Sequence, residues 1–153
     1  MSTENKARVW KGVVREFTPP GTPACEGVHD VPYLEPGRVT NADALAFQDE
    51  YCMACPIFVQ CARHAMSNEP YGTWGLTENQ RASLGGVVAP EWANKRLDPT
   101  GAVLELEDAG VPLRTIGEIV SAADSHNQDA LRALRARQRQ VAARASSTTA
   151  VAA

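Results

Sequence analysis

The chain has 153 residues, a formal net charge of −3 and a hydrophobic fraction of 44% in which aromatic residues supply only 6%. That allows one modest domain or two small ones, with a core small enough that a bound metal would help to hold it. No run of about 18 apolar residues is present and residues 1–10 lack the apolar stretch of a secretory signal, so no membrane span is expected, a cytoplasmic protein is, and the four cysteines point to metal ligation ahead of structural disulfides.

Residues 1–23 read as a flexible arm that ends in the breaker-rich run Thr18-Pro19-Pro20-Gly21-Thr22-Pro23. Pro32 and Pro36 make the stretch after Cys25 a loop. Residues 40–53 are predicted helical, with Thr40 and Asp43 as a capping box and Leu45, Ala46 and Cys52 on one stripe. A second helix is predicted from Pro56, a favoured first helical residue, to Ser67, where Asn68-Glu69-Pro70 breaks it. Gly72 and Gly75 around Trp74 predict a tight turn over residues 71–76. Thr77 and Gln80 form another capping-box pattern, and Gly85 is a natural stop. Residues 21–85 carry three bases and eight acids, and the acidic surface of residues 26–50 reads first as a solvated face, with contact to a basic partner domain as the alternative.

Residues 86–97 read as a linker. Three more helices are expected: one from Pro99, capped by Asp98, to Gly110; one from Pro112 to Ser121; and one capped by Asp124 or Ser125 that runs to Arg144. The tail, 145–153, is small, polar and expected to be disordered. The fold class is therefore all-α: a small helical domain over residues 24–85 organised around the cysteines, then a helical, helix-turn-helix-like extension over 98–144.

The cysteines are spaced as one distant residue, Cys25, followed by Cys52-x2-Cys55-x5-Cys61. Four thiolates suit zinc or an iron–sulfur cluster, because soft ligands select both. No glycine lies between Cys52 and Cys61, and Met53, Ile57, Phe58 and Val59 supply an apolar shell, which suits a cluster whose potential depends on burial. A zinc-stabilised binding module without redox role remains open, as do unligated or disulfide-bonded cysteines. A thiol–disulfide reductase using Cys52 and Cys55 lacks a close lysine to lower a thiol pKa; Arg63 is the nearest cation in sequence. No Ser–His–Asp set, phosphate loop or paired carboxylates mark an enzyme. His64, three residues from Cys61, reads best as a surface or hydrogen-bonded histidine.

Residues 122–145 carry five arginines and two aspartates. Leu131, Leu134 and Val141 make a narrow apolar stripe, with Arg132, Arg135 and Arg139 on one edge and Arg137 and Arg144 near the other. That suits a helix docked on a small core with arginines reaching for phosphates. Residues 110–120 loosely resemble the second helix of a helix-turn-helix. The next helix then opens near Asn127 and Gln128, residue types that read adenine edges. The net charge of residues 98–118, one base against five acids, opposes duplex binding by that segment.

Ala24-Cys25 followed by Asp30 and Tyr33, then Cys52-x2-Cys55-Pro56-Ile57, Cys61, the turn Gly72-Thr73-Trp74-Gly75 and a polar helix with Arg81 together resemble the WhiB-like family of actinobacteria and their phages, over roughly residues 24–85. The resemblance implies a 4Fe–4S cluster, sensitive to oxygen and nitric oxide, on Cys25, Cys52, Cys55 and Cys61. It implies a redox-responsive transcriptional regulator, not an enzyme, with a disulfide available after cluster loss. It also implies that Gly72, Thr73, Trp74 and Gly75 help to bind the C-terminal domain of the principal sigma factor of RNA polymerase. DNA is the second implied partner, through Asn127, Gln128, Arg132, Arg135, Arg137, Arg139 and Arg144. The family turn reads Gly-Val/Ile-Trp-Gly-Gly. Thr73 here replaces the branched apolar residue and Leu76 the last glycine, which predicts an altered turn if that position needs positive φ.

Overall fold

The computed structural model describes residues 8–9, 17–25, 40–122 and 128–152. The fold is all-α apart from a two-residue parallel pair. In chain order the elements are β1 (Arg8–Val9), α1 (Asn41–Phe47), a π-helical turn (Gln48–Cys52), α2 (Phe58–Asn68), α3 (Glu78–Ser83), β2 (Val87–Val88), a 3-10 turn (Pro90–Trp92), α4 (Pro99–Asp108), α5 (Leu113–Val120) and α6 (Gln128–Ala152). Among the described residues no helix is long and apolar enough to cross a membrane.

Both capping boxes form. The Thr40 hydroxyl accepts from the Asp43 N–H at 3.1 Å and Asp43 accepts from the Thr40 N–H at 3.3 Å. Thr77 and Gln80 repeat the arrangement at 3.1 and 3.0 Å. Each box satisfies backbone donors that a helix start leaves orphaned. Asp98 caps α4 as expected, accepting from the Gly101 N–H at 3.0 Å.

Several boundaries move. The second helix begins at Phe58, not Pro56, because residues 55–57 are spent on a turn in which the Phe58 N–H reaches the Cys55 carbonyl at 3.2 Å. Pro112 is the cap of α5 and Leu113 its first residue. The segment read as a linker contains β2, whose Val87 and Val88 are buried together with Ala89. β2 pairs in parallel with β1, Arg8 opposite Val87 and Val9 opposite Val88. The last helix does not stop at Arg144 but continues through Ala152; that stretch holds no Gly or Pro and is rich in alanine, the strongest helix former.

One hydrophobic core crosses the expected module boundary. Ala62, Met66, Leu76 and Leu84 from the cysteine half share it with Val103, Leu106, Ile116, Ile119, Val120, Ala130 and Leu134 from the C-terminal helices. Arg63 Nη1 and the Ser67 hydroxyl on α2 also donate to the Glu118 and Ala122 carbonyls at the end of α5, at 2.9 and 3.4 Å. Only the first third of α6 docks. Leu134 is buried and Leu131 half-buried, but Val141 is 38% exposed, so the expected apolar stripe ends before it and residues 138–147 are exposed on every side.

Candidate metal centre

Helix α1 leads directly into the π-helical turn that ends at Cys52. Its widened hydrogen bond runs from the Met53 N–H to the Gln48 carbonyl at 3.1 Å, five residues back, a distortion frequent at functional sites. The chain then reverses: the Cys55 N–H donates to the Cys52 carbonyl at 3.1 Å. Cys61 sits in the first turns of α2. From the N-terminal side, Cys25 arrives at the end of the proline-rich segment, and the Ala24 N–H donates to Cys55 Sγ at 3.4 Å. These local turns bring Cys25, Cys52, Cys55 and Cys61 to the lining of one pocket, walled by Pro23, Phe47, Tyr51, Ile57 and Phe58 and by Thr73 and Gly75 of the Trp turn. It encloses about 320 Å³, counting the part open to solvent. Of the predicted apolar shell, Ile57 and Phe58 face the pocket, whereas Met53 and Val59 pack against the core.

All four cysteines are free thiols. Burial is the main cause that pushes Cys52 and Cys61 up to about 12, and each is raised further by the neighbouring cysteines. Cys25 is raised too, again chiefly by burial. Such thiols stay protonated without a metal and release their protons when one binds. Among the described residues no group of three or more His, Cys, Asp or Glu closes on a single ion position. The donor set nevertheless fits a soft, thiolate-bound centre: four sulfurs around one cavity, apolar walls, and one backbone N–H aimed at a sulfur.

The Trp turn is built on two left-handed glycines, Gly72 at φ 76° and Gly75 at φ 71°. Leu76 does not occupy such a position, since no described non-glycine residue has positive φ. It pairs instead with Trp74 in an antiparallel bridge, with N–H to carbonyl distances of 3.0 and 2.7 Å, and its side chain is fully buried in the core. The replacement of glycine is therefore absorbed by packing. Trp74 is half-buried and its Nε1 donates to the Tyr71 carbonyl at 3.0 Å. Phe17 stacks on His64 with ring centroids 4.7 Å apart and meets Trp74 edge-on at 6.2 Å. His64 is hydrogen-bonded, to Glu69 at 3.3 Å and Asn68 at 3.4 Å, and does not line the pocket.

Two buried polar features escaped the sequence. Arg81 is 1% exposed and donates to the carbonyls of Leu76 at 2.6 Å, Gly72 at 2.8 Å, and Glu69 and Tyr71 at 3.3 Å. Gln48 and Gln80 exchange amide hydrogen bonds at 2.6 and 3.2 Å; Gln48 also donates to the Gly75 carbonyl at 2.9 Å and Gln80 to Glu105 at 2.8 Å. The capping box announced Gln80 at a helix start; nothing local announced its partner 32 residues away.

The candidate DNA-contacting residues lie on α6, apart from Asn127, which falls outside the described residues with Asp30, Tyr33 and the cap of that helix. Gln128, Arg132, Arg135, Arg139 and Arg144 are exposed. Arg132 pairs with Asp129 at 3.1 Å. Arg137 differs: its Nε and Nη2 both reach Glu107 Oε1 on α4, at 2.7 and 2.6 Å, with only 17% of its side chain exposed. It is a bolt between α4 and α6, and its reach toward a phosphate is spent.

Residues 21–84 match the family described as transcription factor WhiB. The chain is 41% identical over 68 residues to the transcriptional regulator WhiD of Streptomyces coelicolor, covering 41% of this chain and 61% of that protein. It is 38% identical over 66 residues to the redox-responsive transcriptional regulator WhiB3 of Mycolicibacterium smegmatis, covering 39% of this chain and 68% of that one. The chain thus spans less than two thirds of the length of the first of these relatives. No solved structure matches it. The matched segment contains all four cysteines and the Trp turn, and the chain belongs to the WhiB family of transcription factors.

Proposed function

We propose that this regulator holds a 4Fe–4S cluster on Cys25, Cys52, Cys55 and Cys61, docks on the C-terminal domain of the principal sigma factor through Gly72, Thr73, Trp74 and Gly75, and touches promoter DNA with α6. The observation that carries the reading is the single pocket lined by all four cysteines and by two residues of the Trp turn. A bound cluster supplies reactivity toward oxygen and nitric oxide; the relative from Mycolicibacterium smegmatis is named for a redox response.

The chain's own residues supply the rest. Cys52, Cys55 and Cys61 are preset by the π-helical turn and the reversal after it, and Cys25 closes the site from the arm. Phe47, Ile57 and Phe58 limit water around the sulfurs, which favours a large buried centre over a mononuclear zinc drawn to about 2.3 Å from each sulfur. Thr73 and Gly75 place the Trp turn in the same wall, so a change in how the cysteines are held alters the surface on which Trp74 sits. Trp is a frequent interface anchor. For DNA, the exposed side chains of Gln128, Arg132, Arg135, Arg139 and Arg144 face solvent along α6 and suit phosphate contacts; Arg137 is not part of that set. Residues 24–85 then form the sensing part and 98–144 the DNA-contacting part.

The test is anaerobic purification with iron and sulfide analysis, followed by binding to the sigma-factor domain before and after oxidative loss of the iron. About four irons and four sulfides per chain are expected, with sigma binding lost on their removal. A colourless protein with about one zinc would overturn the cluster, and unchanged sigma affinity would overturn the switch.

A further inference from the structure

Arg81 poses an electrostatic problem. Its guanidinium is fully buried, and no carboxylate among the described residues hydrogen-bonds to it. Its four acceptors are all carbonyls of residues 69–76, and its Nε has no partner among the described residues. Glu78 accepts from the Gly72 N–H at 2.7 Å and Glu69 contacts His64 at 3.3 Å, so both act on Arg81 without a hydrogen bond to it. Burying a cation without a contacting counter-ion is expensive. Burial pulls the guanidinium down to about 10, and Glu78 opposes that most, followed by Cys61, Glu69 and Cys52. Carbonyl dipoles relieve part of the cost. Thr73 and Gly75, between the Gly72 and Leu76 carbonyls that Arg81 holds, line the cysteine pocket; four thiolates around a dication carry two net negative charges, and such an anionic centre in a low-dielectric site favours a nearby cation as much as the cation favours it.

We propose that Arg81 is the buried counter-cation of the four-cysteine centre and, through its clamp on the carbonyls of residues 69–76, the residue that positions the Trp74 turn against it. The inference rests on the cysteines acting together as thiolate ligands. It assigns Arg81 two separable properties, the charge and the planar fork. A glutamine keeps some donors and loses the charge; a lysine keeps the charge and loses the fork.

The experiment uses the full chain, metal-free and reduced, titrated anaerobically with Co²⁺ against a competing chelator and followed by thiolate-to-cobalt absorbance. Arg81→Gln is expected to weaken Co²⁺ binding by about tenfold or more. Arg81→Lys should stay within about threefold of wild type, while the near-ultraviolet circular dichroism of the tryptophans changes in both variants because the fork is gone. Wild-type affinity in Arg81→Gln would overturn the counter-cation role, and so would a loss in Arg81→Lys equal to that in Arg81→Gln. If Arg81→Gln does not fold, Arg81→Lys alone decides: tenfold weaker binding overturns the role, and near-wild-type binding with altered dichroism supports it. A wild-type chain that takes up neither Co²⁺ nor iron would instead overturn the four-cysteine reading on which the inference stands.

Discussion

Gly75 lies where the Trp turn, the cysteine pocket and α2 meet, and replacing it with alanine tests how tightly they are fitted. Its φ of 71° is left-handed, so any Cβ costs about 1–2 kcal/mol on backbone grounds. The Cβ would also meet the Phe58 carbonyl oxygen at 3.0 Å, the Ala62 Cβ at 3.2 Å and Phe58 Cδ2 at 3.3 Å. The first of these is backbone inside α2 and cannot turn away. Overpacking of this kind costs about 1–3 kcal/mol. Restricting the unfolded chain returns about 0.4–1 kcal/mol, which leaves a net loss of about 1–4.5 kcal/mol for Gly75→Ala. Gly110 supplies the control. It has a similar left-handed φ of 95°, but a Cβ there meets nothing within 4 Å, so Gly110→Ala should cost only about 1 kcal/mol. Urea unfolding of the metal-free, reduced variants at one pH measures both. At this chain length each kcal/mol also lowers Tm by about 2–4 °C. Equal losses in the two variants would refute the argument, because they would mean that the close approach of the turn to α2 contributes nothing.

The raised thiols set a pH dependence for the metal-free chain. Cys52 and Cys61 rise from an ordinary value of 9.0 to about 12 in the folded state, so between those limits the folded chain binds more protons than the unfolded one. Stability is then fully present below about pH 9 and falls as the pH rises toward 12; equal urea midpoints at pH 7.5 and 10.5 would contradict it, and Cys61→Ser should flatten part of the slope. Arg137→Ala should lower stability by about 1 kcal/mol through loss of the half-buried pair with Glu107 while leaving DNA affinity and its salt slope nearly unchanged. Arg139→Ala should do the reverse, reducing the salt slope by about one. A filter-binding series over salt concentration separates the two, and a slope reduced by Arg137→Ala would return that residue to the DNA surface.

What the sequence disclosed was what short-range chemistry controls. Thr40 with Asp43, Thr77 with Gln80 and Asp98 before Pro99 are patterns within three residues, and each folds as written. Gly72, Gly75, Gly85 and Gly110 mark four places where the chain takes positive φ, and all were legible as turns or stops. The cysteine spacing signalled a thiolate site, and the family match to residues 21–84 agrees with the resemblance carried by the same residues. Pairings across the fold were not legible. An arginine near the end of a short helix reads as a surface residue; only the curl of residues 69–76 around it makes Arg81 a buried clamp. Arg137 looked equivalent to its neighbours until α4 placed Glu107 against it. Val141 continues the apolar spacing of Leu131 and Leu134, but the core offers no further surface that far along α6, so periodicity alone overran the contact.

The same limitation hid the connection between the cysteine pocket and the C-terminal helices. Composition and glycine placement suggested a linker at 86–97, yet the link that matters runs through Gln48, Gln80 and Glu105. Gln48 opens the π-helical turn that ends at Cys52 and also holds the Gly75 carbonyl. Gln80 closes the capping box of α3 and reaches Glu105 on α4. Gln48 and Gln80 are buried, and a buried amide that loses its partner costs about 1–3 kcal/mol with no water to replace it. Such a chain resists partial rupture: shifting the π-helical turn requires either that α3 and α4 follow or that two amides be stranded. Leu76 and Leu84, packed in one core with Leu106 and Ile116, add an apolar penalty to any separation. The pocket and the helices that carry α6 are therefore joined through side chains on the turn that ends at Cys52, on α3 and on α4.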